Sequence, residues 1–115
     1  MRSRTVISIV RANCWRRRPN GTVRYVMYSV AYMLDAAARL AHARNDDLLA
    51  ATLLGAADHR RDIIGVAVWG SQLARREALL AEVRAAVGED AYAAAYRDGC
   101  RLDYEAALDA GLRAG

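Results

Sequence analysis

The stretch GEDAYAAAYRDGCRLDYEAA, residues 88–107, crowds five acids, three tyrosines and a cysteine into twenty positions. Asp98, Asp103 and Glu105 are the residues there whose types could hold a hard cation or move a proton. A calcium loop needs a dense run of oxygen donors, about six to eight around one ion, and this spacing does not supply them. The same residues have a structural use. Glu89 and Asp90 suit the positive end of a helix, Gly99 reads as a helix stop, and Asp103 reads as the cap of the helix that follows. No metal ligand and no catalytic residue is assigned in this stretch.

The other reactive side chains are scattered. Asp58 and Asp62 stand one helical turn apart, but Arg60 and Arg61 between them predict a solvated charged face. Paired carboxylates that do acid–base work need surroundings that push their pKa values apart. His42 and His59 occur without HExxH or a partnered serine or cysteine motif, so both read as helix-surface histidines. Cys14 and Cys100 form no CxxC and no Cys/His spacing, which argues against zinc and for two reduced thiols. The sequence contains no GxxxxGK[ST] loop for nucleotide phosphates. The expectation is a non-enzymatic chain with no cofactor.

One segment suggests a ligand directly. RANCWRRR, residues 11–18, sets Trp15 among Arg11, Arg16, Arg17 and Arg18. Arginines neutralise phosphates, and an indole can stack on a base, so these five are the candidate nucleic-acid contacts. The charge is uneven. Residues 1–24 carry seven Arg and no acid, while the rest of the chain carries ten Arg and thirteen acids. A basic head thus precedes a mildly acidic body. The apolar run TVISIV is too short to span a bilayer, and the arginines after it do not resemble a leader cleavage site. No membrane association is expected, and the expected location is the cytoplasm.

The elements that must position these residues are helical. A length of 115 residues with one Pro and many Ala fits a single all-α domain. We read residues 1–21 as a basic, poorly packed head in which VISIV could form a short strand and PNG a turn. Residues 22–115 are the folded domain, built of about five helices. The first runs from Thr22 to about Arg44 with an inner face of Val26, Val30, Met33, Ala37 and Leu40. A second stripe of Tyr25, Tyr28 and Tyr32 lies beside it. Asn45 is a left-handed stop, and Asp46 caps a helix from Asp47 to Ile64 that ends at Gly65. The short connection predicts a helical hairpin, followed by a three-helix end unit.

In that end unit, VAVWGS is a linker in which Trp69 covers a helix end, and Ser71 caps the third helix, 72–87. Leu73, Leu80, Val83 and Val87 form its inner face, with Arg75, Arg76, Glu77, Glu82 and Arg84 outside. The fourth helix runs from Glu89 to Asp98, with Tyr92 and Tyr96 turned inward. The fifth follows Asp103 and carries Tyr104, Ala107, Leu108 and Leu112.

Two segments carry a resemblance. AATLLGAADHRRDIIGV, 50–66, and VGEDAYAAAYRDGCRLDYEAALDAGL, 87–112, resemble successive segments of the C-terminal tetratricopeptide-like region of LuxR (MalT-like) type ATPase transcriptional regulators. Related cyclase-linked ATPases of actinobacteria share them. The likeness covers about residues 22–115. It implies a TPR-like helical scaffold and a context of signal-responsive transcription. Neither the ATPase nor the helix-turn-helix part of such regulators corresponds to residues of this chain. The combined expectation is a helical protein-interaction module with a protein partner or a second copy of itself. Nucleic-acid binding through the basic head is the alternative.

Overall fold

The structure is a computed structural model that describes residues 21–68 and 70–114. Residues 1–20 of the basic head, with its five candidate contacts, and the position of Trp69 lie outside the described residues. Among the described residues there are five helices and no strand: α1 (Gly21–Ala43), α2 (Asp47–Ile64), α3 (Ser71–Val87), α4 (Glu89–Cys100) and α5 (Tyr104–Ala114). The all-α expectation holds. None of these helices is long and apolar enough to cross a membrane.

Local signals fix most of the ends. Asn45 takes a positive φ of 65° after α1. The Asp46 carboxylate accepts from the Leu49 amide at 3.3 Å and starts α2. Gly65 closes α2 at φ 71°, where a side chain would be strained, and Val66 N–H returns to the Arg61 carbonyl at 3.1 Å. Asp103 accepts from the Ala106 amide at 2.8 Å and starts α5. Replacing Asp103 by alanine is expected to cost about 1 kcal/mol of stability, read as a shift of the urea midpoint with an unchanged slope.

One end differs from expectation. Ser71 is the first residue of α3 rather than its cap. Gly70 holds the cap position, and no side chain accepts from the helix there.

Helix α2 is the hub. Ala50, Ala51, Leu53, Leu54, Ala56 and Ala57 are all buried, so apolar surface runs around most of its circumference. A helix of that kind needs neighbours on several sides. It packs most heavily on α1 and α4 and also touches α3 and α5. Leu34, Leu53, Leu54 and Val83 are the large side chains fully enclosed between these elements.

The α2–α4 contact is backbone against backbone. A Cβ on Gly55 would run into the Tyr96 carbonyl, and a Cβ on Gly99 would run into the Thr52 carbonyl. Gly99 is therefore not a stop. It lies buried inside α4, which continues to Cys100, and its missing side chain lets the two helices meet.

The face of α1 also differs from expectation. Its buried residues are Val30, Ala31, Leu34, Asp35, Ala38 and Ala41. Val26, Met33 and Leu40 are exposed, as are Tyr25, Tyr28 and Tyr32. The reason is size. Ala31, Ala38 and Ala41 are small enough to bring the α1 backbone close to α2, and this register turns the bulkier stripes outward. In α3 the buried residues are Arg76, Leu79 and Val83, whereas Leu73 is exposed. In α5, Ala107 is buried and Leu108 half-buried, but Tyr104 and Leu112 are exposed.

Candidate docking surface and buried ionic network

The most elaborate polar cluster joins four helices. Asp35 comes from α1, Asp58 and Arg61 from α2, Arg76 from α3 and Tyr96 from α4. Arg76 Nε donates to Asp35 Oδ1 at 3.1 Å, and its Nη2 lies 3.0 Å from Asp58 Oδ1. The same Nη2 reaches the Leu54 carbonyl at 3.2 Å. Arg61 donates to Asp35 Oδ2 through Nη2 and to Asp58 Oδ1 through Nη1. The Tyr96 hydroxyl donates to Asp58 Oδ2. Two guanidinium groups thus meet two carboxylates, and the charges cancel.

This arrangement overturns two expectations. Arg60 and Arg61 are not a solvated face: both are buried. Arg76 is not on the outer side of α3, since its side chain is only 10% exposed. Burial works against the charge on Arg76, but Asp35 and Asp58 outweigh it and hold its pKa above the usual value. Burial, then donation to Asp58, pushes the Tyr96 hydroxyl far above its ordinary range and keeps it a donor. Burial, then Asp58 and Asp62, raises the Cys100 thiol. That sulfur lies 3.4 Å from the Gly55 carbonyl, a protonated donor rather than a nucleophile.

Arg60 sits apart from the network. Its Nη2 donates to the Leu102 carbonyl at 2.6 Å and ties α2 to the α4–α5 corner. Its Nε is buried with no hydrogen-bond partner among the described residues. Burial lowers its pKa, against the pull of Asp103 and Tyr104.

An open cavity of about 630 Å³ lies beside the network, lined in part by Asp58, Arg61, Arg76, Tyr96 and Cys100. Within the set of Asp35, Asp58, Arg61 and Arg76, both carboxylates and both guanidinium groups are paired with one another. Chemically, the network holds four helices in one register. Among the described residues, no three of His, Cys, Asp or Glu come together in a way that could hold a metal ion.

A second polar junction closes the other end of α1. His42 Nδ1 lies 2.5 Å from Asp47 Oδ1, and its Nε2 lies 2.9 Å from Glu82 Oε1. Asp47 chiefly, and Glu82 with it, raise the His42 pKa against the opposing effect of desolvation. A raised folded-state pKa gives stability that is fully present below the unfolded value of about 6.5. That stability is lost as pH rises through the folded value. The His42→Gln variant is therefore expected to show a flatter decline of melting temperature with pH above about 6.5 than the parent chain. Parallel slopes in the two proteins would show that the junction contributes no pH-dependent stability.

Most of the exposed large apolar side chains among the described residues lie on α1. Tyr25 is 71% exposed, and Val26, Tyr28, Tyr32, Met33 and Leu40 lie between 39% and 45%. Arg24 on this helix donates to the Ile64 carbonyl at 3.0 Å, and Tyr32 accepts from Gln72 at 3.4 Å. The sequence displays these residues as stripes on α1, but only the packed register reveals that they stay outside. No family model, no curated protein and no solved structure matches the chain.

Proposed function

We propose that this chain is a non-enzymatic helical protein-interaction module that docks through the outer side of α1, acting in the cytoplasm. The observation that carries this reading is the exposure of six large apolar and aromatic residues along one helix. An apolar patch of this extent on a soluble domain usually marks a partner site. The likeness of residues 50–66 and 87–112 to the helical region of LuxR-type regulators supports a TPR-like scaffold and a role in signal-responsive transcription.

The test is site-directed photo-cross-linking in cells, with a benzophenone amino acid at Tyr25 and, as control, at the exposed Arg97 on α4. Discrete protein adducts at position 25 that are absent at position 97 are expected. Equal, diffuse labelling at both positions would overturn the reading.

The alternative is nucleic-acid binding through Arg11, Trp15, Arg16, Arg17 and Arg18. Its support is the concentration of seven arginines and no acid in residues 1–24. It predicts salt-sensitive binding of nucleic acid that disappears when Arg16, Arg17 and Arg18 are replaced by glutamine.

A further inference from the structure

The outer side of α1 carries a repeat. Val26, Met33 and Leu40 return every seven residues, and Thr22, Ser29 and Ala36 return every seven residues between them. All six are exposed. Apolar positions alternating at spacings of three and four are the seam of a two-helix coiled coil. Here the two seam positions differ: Val26, Met33 and Leu40 are large and apolar, whereas Thr22, Ser29 and Ala36 are small and the first two carry hydroxyls. We propose that a second copy of this chain is the partner, its α1 lying antiparallel along the first. This rests on the docking reading above and names the occupant.

The size pattern decides the direction. In a parallel pair, like positions meet, so small faces small and leaves gaps at Thr22, Ser29 and Ala36. Gaps of that kind forfeit dispersion contacts. In an antiparallel pair, unlike positions meet. One register then sets Val26 against Ala36 of the second copy, Met33 against Ser29 and Leu40 against Thr22. Every layer holds one large and one small residue, and the two-fold axis repeats each layer.

The flanking positions agree with the same register. Tyr25, Tyr32 and Arg39 each precede a large seam residue by one. Around the two-fold axis, Tyr32 meets Tyr32 of the second copy, and Arg39 comes beside Tyr25 of the second copy. A guanidinium beside a tyrosine ring is attractive. Arg39 takes part in none of the ion pairs found among the described residues. No charge stands on the seam itself, so nothing there repels an identical surface.

The area is sufficient. The exposed parts of the seam and its tyrosines offer on the order of 600 Å² per copy, with aromatics the largest contributors. Two such faces give about 1,200 Å², the lower end of stable specific interfaces.

Sedimentation velocity of the full chain across a wide concentration range tests the pairing. A shift from the 12.6 kDa monomer to twice that mass is expected. Ser29→Arg puts bulk where a large residue must insert, and is expected to weaken the dimer by roughly a hundredfold while leaving the monomer's circular dichroism unchanged. Arg97→Glu should have no effect.

Direction is read by mixing Val26→Cys and Ala36→Cys proteins under oxidation and mapping the linked peptides. A 26–36 link is expected, and a predominant 26–26 link would overturn the antiparallel register. A chain that stays monomeric at all concentrations overturns the second copy as partner. If Tyr25 then cross-links to a different protein, the docking reading stands without this inference. If it cross-links to residues 1–20 of its own chain, the face belongs to the head. If it cross-links to nothing specific, both fail.

Discussion

Replacing Gly99 by alanine is expected to lower the stability of the chain by roughly 3 kcal/mol, at the upper end of what overpacking usually costs. The added Cβ would meet the carbonyl of Thr52, whose carbon would lie 2.8 Å away, and the amide of Ala56 at 2.9 Å. These are backbone atoms of the central helix and cannot rotate aside. The two helices would have to separate, which also pulls Gly55 away from the Tyr96 carbonyl.

Gly55→Ala is expected to act through the same interface from the other side. The double variant should therefore cost much less than the two single losses together, because helices already apart accommodate a second methyl group. Gly21→Ala is the control, with nothing within 4 Å of the new carbon. Urea unfolding of the four proteins measures all of this. A Gly99→Ala protein as stable as its parent would mean that the helices do not approach this closely.

Arg76→Ala is expected to have an effect of similar or larger size, about 3–5 kcal/mol for breaking a buried pair. The loss exceeds the value of the bonds removed. Asp35, only 11% exposed, would be left with Arg61 alone, and Asp58 would lose a cation at 3.0 Å. An unanswered charge in that setting is what destabilises. The double variant Asp35→Leu with Arg76→Met removes one charge of each sign and leaves Asp58 paired with Arg61. It is expected to unfold at higher urea than Arg76→Ala. A loss below about 0.5 kcal/mol for Arg76→Ala, the range of ordinary surface substitutions, would show that water reaches these groups.

Helix ends were legible in the sequence because their causes are local. Asp46, Gly65, Gly88 and Asp103 each act within a few residues, and all four mark real boundaries. Gly99 looks the same in sequence as those glycines. What separates it is the Thr52 carbonyl on another helix, which no local pattern reports. The face of α1 is ambiguous in the sequence for a related reason. Apolar residues lie around much of that helix, and the choice among stripes was made by the small residues that suit α2.

The buried arginines were the least legible feature. The partners of Arg76 lie 41 residues away at Asp35 and eighteen away at Asp58, so Arg60, Arg61 and Arg76 read as ordinary surface charge. A signal did exist for the exposed side of α1. The seven-residue return of Val26, Met33 and Leu40 is visible in the sequence, but the same spacing equally suits an inner face.

The neutrality of the ionic network bears on how this sequence can drift. A single replacement that removes the charge at position 35, 58, 61 or 76 leaves an odd charge where four helices meet, and most chains making that step would fold poorly. A route that exchanges an acid and a base together, or swaps the whole set for apolar residues, avoids that intermediate. Descendants of this chain are therefore expected to keep all four residues or to change them as a coordinated group, while the caps at Asp46 and Asp103 vary independently. Counting the joint and separate changes at these positions across related genomes would decide it.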